Sequence, residues 1–174
     1  EGILDQMRRQ FDEDRELIDA IGHTYPLDWI RPEDYVCVVI PGERGAMLDL
    51  PECRQLEQLL AAVHEHNQGL ICTIGHGAAA LLNIRKPNSA EFLVRNRKLT
   101  CFSNSEEREL GMDKLLPFSL EDRLKERGAR IETADPNRPK VIVDERLITA
   151  QNPQSVRDFV QKIAENIQNS KLCN

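Results

Sequence analysis

The apolar run LICTIGHGAAALL, residues 70–82, leads directly into Gly75-His76-Gly77 and then into alanines. A strand that turns sharply into a helix is the frame of a nucleophile elbow, on which hydrolases mount a reactive Ser or Cys. Here the elbow position is Gly75, which has no side chain to form a covalent adduct. His76 beside it could act as a general base or serve as a hydrogen-bonded structural residue. Cys72 lies three residues upstream, inside the apolar run. Strand side chains alternate faces, so a mid-strand thiol sits below the turn and reads as a core residue. No cation in GLICTI is placed to lower its pKa.

Other chemistry-bearing residues are sparse. Five cysteines stand at 37, 53, 72, 101 and 173. The odd count and the absence of CxxC point to free thiols in a reducing cytoplasm. His64 and His66 are two apart on an expected helix and do not face each other, so no metal site and no cofactor is expected. The net charge of −6 argues against a nucleic-acid partner. The short basic run Arg95-Asn96-Arg97-Lys98 reads as a solvated loop face. No apolar stretch approaches the roughly 20 residues that span a bilayer. The opening EGILDQMRRQ carries neither a secretory signal nor an initiator Met.

At 174 residues, with 40% hydrophobic and 30% charged side chains, the chain is sized for one globular domain. Residues 3–20 have an amphipathic helical pattern, and residues 1–30 are expected to form a helical segment ahead of an α/β domain over 31–170, with 171–174 a tail. YVCVVI (35–40), ended by Pro41-Gly42, reads as a buried parallel strand. Helical spacing follows over 51–66, GLICTI (69–74) is a second strand, and Gly77–Leu82 begins a helix. KLTCFS (98–103) reads as a third strand. Leu115–Arg127 reads as a helix with Pro117 in its first turn and Gly128 past its end. VIVDERLITA (141–150) is a hairpin about Asp144-Glu145, and Asn152-Pro153 caps a helix over Ser155–Gln168. The alternation predicts a three-layer α/β sandwich with a mostly parallel, flavodoxin-like sheet. In such sheets the ligand crevice lies beyond the carboxyl ends of the strands. Pro41–Met47, Gly75–Ala78 and Phe102–Glu107 each follow a strand, so they converge on one pocket.

Four ordered blocks, VVIPGERGAMLDLPE, LICTIGHGAAALLN, KLTCFSNSEERELGMDKLLPFSLEDRLKERGA and LITAQNPQSV, resemble the DJ-1/PfpI superfamily. The likeness is to its Hsp31-like, glutamine-amidotransferase-like branch and spans about residues 33–165. The resemblance implies a Cys-His-Gly elbow, a Gly-Gly-His-Gly segment after the preceding strand, and an acidic or amide-bearing segment after the next. Backbone amides of the first two segments would form an oxyanion hole. It also implies glyoxalase-type, amidase-like or chaperone activity. Transferred residue by residue, the elbow Cys falls on Gly75 and its neighbour on His76. The Gly-Gly-His-Gly falls on Gly42, Glu43, Arg44 and Gly45, and the third segment on Asn104, Ser105, Glu106 and Glu107. The oxyanion-like backbone is then that of Gly42, Glu43 and His76.

Measured against the resemblance, the chain departs at Gly75 and at Glu43-Arg44, and it lacks the family's two N-terminal strands and helix. A degenerate site of Gly75, His76, Glu43, Arg44, Asn104 and Glu106 is therefore expected. Arg44 either forms a salt-bridged plug or grips a small anionic ligand. Without the missing strands, the 35–40 strand becomes an apolar edge that a homo- or hetero-oligomer would cover. Three functional readings stay open. The first is a catalytically silent domain acting through binding or assembly. The second is an active hydrolase or lyase using His76 with Glu43 or Glu106 and no cysteine. The third is a subunit completed by a partner chain that supplies the missing strands.

Overall fold

The helical pattern at the start of the chain predicts one helix over 3–20, and the structure, a computed structural model that describes residues 3–66 and 68–172, contains two. These are α1 (Ile3–Glu13) and α2 (Arg15–Gly22). Asp14 separates them because its carboxylate accepts the Leu17 N–H at 3.0 Å and caps α2. Contacts divide the chain into two compact units, Glu1–Ile30 and Arg31–Asn174.

The second unit runs β1 (Cys37–Gly42), α3 (Ala46–Asp49), α4 (Arg54–His66), β2 (Leu70–Gly75), β3 (Lys98–Leu99) and α5 (Asn104–Glu109). It continues with α6 (Leu120–Glu126), β4 (Arg130–Ile131), β5 (Val141–Asp144), β6 (Leu147–Ala150) and α7 (Val156–Leu172). Among the described residues the main sheet has the order β1-β2-β6-β5. β1, β2 and β6 are parallel, and β5 returns antiparallel to β6 as the expected hairpin. Glu145 makes the tight turn at φ 52°. Arg97 belongs to this hairpin rather than to a solvated face, pairing with Asp144 at 3.1 Å and with Glu145 at 2.5 Å.

Three layers follow from how the strands divide their side chains. Ile40, Ile71 and Leu147 point into a large core with Leu60 of α4, Met47 of α3 and the alanine run 78–80. Leu70, Cys72, Ile148 and Ala150 point the other way, against Phe159 of α7. β2 is buried along nearly its whole length, as a central parallel strand must be. β1 ends the sheet, and Val39 on it is 48% exposed. The strand does not stop at Pro41-Gly42, because Pro41 pairs in register with Ile74 and Gly42 with Gly75. Proline is tolerated there because an edge strand has one unpaired side.

Other boundaries also differ from the sequence pattern. KLTCFS contributes only Lys98–Leu99 as strand, paired with β4 in a separate two-stranded sheet. Past Leu99 the backbone turns to side-chain and loop partners: the Thr100 N–H donates to Thr149 Oγ1 at 2.9 Å. The alanine run forms a buried 3-10 helix, His76–Leu81, instead of an α-helix. α6 starts at Leu120, not Leu115, because the Ser119 hydroxyl takes the Asp122 N–H at 3.1 Å. Asn152 precedes the last helix but does not cap it through its side chain, which is used elsewhere. α7 runs to Leu172, into the stretch read as a tail, while Cys173 lies outside the described residues.

The end of β1 and the start of the 3-10 helix meet backbone to backbone. A Cβ on Gly77 would fall 2.1 Å from the Ile40 carbonyl oxygen, and one on Gly42 would fall 2.3 Å from the Gly77 nitrogen. Both contacts are with main chain that cannot rotate away. Gly77→Ala is therefore expected to lower stability by about 2 kcal/mol or more, whereas Gly45→Ala, where nothing lies within 4 Å, leaves it nearly unchanged. Chemical denaturation of the two variants checks this, and equal midpoints would contradict the packing described.

Candidate functional site

Gly75 closes β2 with φ +63° and ψ −128°, a turn that side chains rarely adopt. The turn delivers His76 to the carboxyl end of the sheet, where it is 1% exposed. Its ring stacks on Phe102, with centroids 4.7 Å apart and planes at 27°. Its Nε2 lies 2.5 Å from Glu107 Oε1. With Nε2–H donating to the carboxylate, Nδ1 carries the lone pair, and among the described residues it has no hydrogen-bond partner.

Glu107 is shared. Its second oxygen, Oε2, accepts a hydrogen bond from Arg44 Nε at 3.1 Å and lies 3.1 Å from Arg44 Nη2. The Arg44 guanidinium also sits 5.7 Å from the Phe102 ring centroid. Arg44, Glu107 and His76 thus form one continuous chain around Phe102, most of it out of water. The sequence leaves Arg44 open between a plug and an anion grip, and the structure commits its charge to Glu107.

Glu106, which the sequence offers His76 as an acidic partner alongside Glu43, has its carboxylate engaged elsewhere. It forms a capping box with Ser103 at the start of α5. Its carboxylate also accepts Gln151 Nε2 at 2.9 Å, Asn152 Nδ2 at 2.7 Å and the Asn137 N–H at 3.3 Å. That is where the Asn152 side chain is used. Asn104 likewise serves as a joint to α6, donating to Asp122 at 3.0 Å and accepting from Ser119 at 2.6 Å. Glu43 is exposed at the rim of the cavity that holds His76. Glu107 and Phe102 lie in the segments that the sequence brings to the pocket, but they are not among the six residues of the degenerate site it predicts. A signal for Glu107 was present: Ser103-Asn104-Ser105-Glu106 is a capping-box pattern, which turns Glu106 back to the cap and leaves its neighbour for the site.

The three strand-end segments do converge. A cavity of about 370 Å³ is lined by Pro41, Gly42, Glu43, Gly75, His76 and Phe102, with Ile74, Pro153 and Val156 completing it. A smaller one of about 190 Å³, bounded by Phe102, Asn104 and Glu107, lies toward α6.

Among the described residues no cysteine lines the cavity over His76. Cys72 is fully buried on the α7 face, with its Sγ 3.6 Å from Cys37 Sγ. Hydrogen bonding to Cys37 and then burial hold the Cys72 thiol far above its ordinary range. Register sets Cys37 opposite Leu70, two residues short of Cys72. Both cysteines are free thiols in the structure. Burial raises the Cys101 thiol in the same way. Among the described residues no three His, Cys, Asp or Glu side chains are placed to hold a metal ion, and no helix is long and apolar enough to cross a membrane. The side chain of His66 lies outside the described residues.

His64 is buried on α4, and burial, reinforced by the Arg146 and Arg97 charges, pushes its imidazole down to about 4. The folded chain keeps it neutral at pH values where the unfolded chain binds a proton. Its contribution to stability is therefore complete above about pH 6.5 and lost as the pH falls toward 4. Denaturation midpoints from pH 7 to 4.5 should fall more steeply for the native chain than for His64→Leu. Parallel profiles would contradict this assignment.

Against known proteins, a model of the DJ-1/PfpI family matches residues 12–166. The chain is 31% identical over 136 residues to the glutathione-independent glyoxalase hsp3102 of Schizosaccharomyces pombe, covering 74% of this chain and 56% of that protein. It is 25% identical over 175 residues to glyoxalase 3 of Candida albicans, covering 93% and 72%. The structure superposes on Rapid Encystment Protein 24 kDa of Francisella tularensis with a TM-score of 0.85 and 33% identity, over 90% of this chain and 69% of that one.

Proposed function

From the premise that this chain belongs to the DJ-1/PfpI family, we propose that its cavity converts a 2-oxoaldehyde to a 2-hydroxyacid without glutathione and without a nucleophilic thiol. The single observation that carries this reading is His76 held through Nε2 by Glu107 at 2.5 Å, with Nδ1 left to exchange a proton. The names of the glyoxalase relatives support the substrate class.

The elbow carries no side chain at Gly75, so water takes the part that a thiol would play. A 2-oxoaldehyde hydrated at its aldehyde carbon is an isomer of the 2-hydroxyacid, and the reaction is a proton shift between adjacent carbons. His76 Nδ1 takes the proton from the hydrated carbon, and the C–H electron pair forms the enediolate with its charge on the ketone oxygen. The imidazolium exchanges that proton with solvent and delivers a proton to the former ketone carbon. One hydroxyl proton of the hydrated carbon passes to the former ketone oxygen, and the hydrated end becomes the carboxylic acid. No carbon or oxygen of the substrate becomes covalently bonded to the protein. Glu107 fixes the tautomer and balances the imidazolium, in the manner of a carboxylate behind a catalytic histidine. Arg44 positions Glu107. The backbone of Gly42, Glu43 and His76, which lines the same cavity, is read as the place where the enediolate oxygen rests.

The second reading is a silent domain that binds or assembles, and Gly75 is the observation that favours it. In that case the β1 edge, with Val36 54% exposed beside it, is the functional surface where another chain pairs.

Purified protein given methylglyoxal without glutathione should form lactate above the buffer rate. His76→Gln should reduce that rate by about 100-fold or more, while Cys72→Ser leaves it unchanged. Lactate formation no faster than in buffer would sink the catalytic reading and leave the silent one.

A further inference from the structure

We infer that the cavity over His76 selects an uncharged carbonyl compound with a bulky apolar substituent, in preference to the smallest 2-oxoaldehydes and to any anion. This deepens the proposed function and rests on it for the carbonyl. The apolar preference and the exclusion of anions come from the walls.

Most of the wall is apolar. Pro41 and Ile74 come from the ends of β1 and β2, Phe102 from the segment before α5, Pro153 from the turn ahead of α7 and Val156 from the start of α7. The polar side chains among the lining residues are Glu43 and His76. Gly42 and Gly75 contribute only main chain to the lining. At about 370 Å³ the cavity sits at the lower end of the range of about 300–1,000 Å³ found for small-molecule sites. A methyl-bearing 2-oxoaldehyde fills a small part of that space and leaves Ile74, Phe102 and Val156 against water. A phenyl or branched aliphatic group would cover them and gain the transfer free energy of its own surface.

Charge works in the same direction. A carboxylate or phosphate needs a cation or a set of free amide donors. Among the described residues no cation lines this cavity. The nearby Arg44 donates Nε to Glu107 Oε2 and keeps Nη2 3.1 Å from the same oxygen as an ion pair, with no hydrogen bond of its own. Glu43 adds a negative charge at the rim. The inference thus sets aside the small anionic ligand expected near Arg44 from sequence, because a carboxylate of the protein itself, Glu107, already pairs with that guanidinium.

The test separates ligand choice from turnover by using ketols that do not react with arginine. Titration calorimetry of the native chain compares 2-hydroxyacetophenone, hydroxyacetone and the anion benzoylformate. The aryl ketol should bind at least about tenfold more tightly than hydroxyacetone, and benzoylformate more weakly than the aryl ketol. Val156→Ser should narrow the gap between the ketols, and Glu43→Gln should strengthen benzoylformate binding. Equal affinity for the two ketols, tighter binding of benzoylformate, or no binding by any of the three overturns the inference. If the ketol preference holds while methylglyoxal and phenylglyoxal are not turned over, the proposed reaction fails and the ligand class stands.

Discussion

The backbone-to-backbone contact between the end of β1 and the segment after β2 is the constraint from which the site follows. Gly42 and Gly77 face main-chain atoms at distances that no side chain could occupy. Their bareness lets two adjacent parallel strands discharge into one corner. Gly75 then turns the chain through φ +63°, which puts His76 over the strand ends instead of back into the sheet. The same closeness brings Arg44, two residues past β1, against the carboxylate that holds His76. Larger residues at 42 or 77 would push the two segments apart and separate the arginine from the dyad.

Within that corner, Glu107 acts as the electrostatic hinge. A buried carboxylate is tolerated only where its charge is met by hydrogen bonds or opposite charge, and Glu107 has the imidazole on one oxygen and the guanidinium on the other. Its neighbour Glu106 is equally buried and solves the same problem differently, with amide and hydroxyl donors from Ser103, Gln151 and Asn152. Two consecutive glutamates therefore do separate work. Glu106 ties α5 to the β6–α7 connection, and that anchoring fixes where Glu107 emerges toward His76.

Much of this arrangement was legible in the sequence. The strand, turn and short helix around Gly75, the hairpin about Asp144-Glu145 and the convergence of three strand-end segments all follow from local pattern and from the rule for crevices in parallel sheets. What the sequence hid was decided by side chains far apart in the chain. The choice between Glu106 and Glu107 rests on Gln151 and Asn152, some 45 residues away. The early end of β3 rests on the Thr149 hydroxyl, which takes the Thr100 N–H. The fate of Arg44 rests on Glu107, 63 residues on, so a charge that looked free for a ligand is neutralised within the fold. Short-range periodicity carries no information about such partners.

The account makes the elbow a proton-transfer site rather than a covalent one, and the route of the hydrogen is its most direct test. Methylglyoxal should be converted in deuterium oxide without glutathione, the lactate read by proton NMR, and the protein by intact mass during turnover. The account predicts deuterium at C2 of the lactate, a rate that depends on His76, and an unmodified protein mass. Lactate that retains protium at C2, a covalent adduct on any thiol, or no lactate above the buffer rate would contradict it.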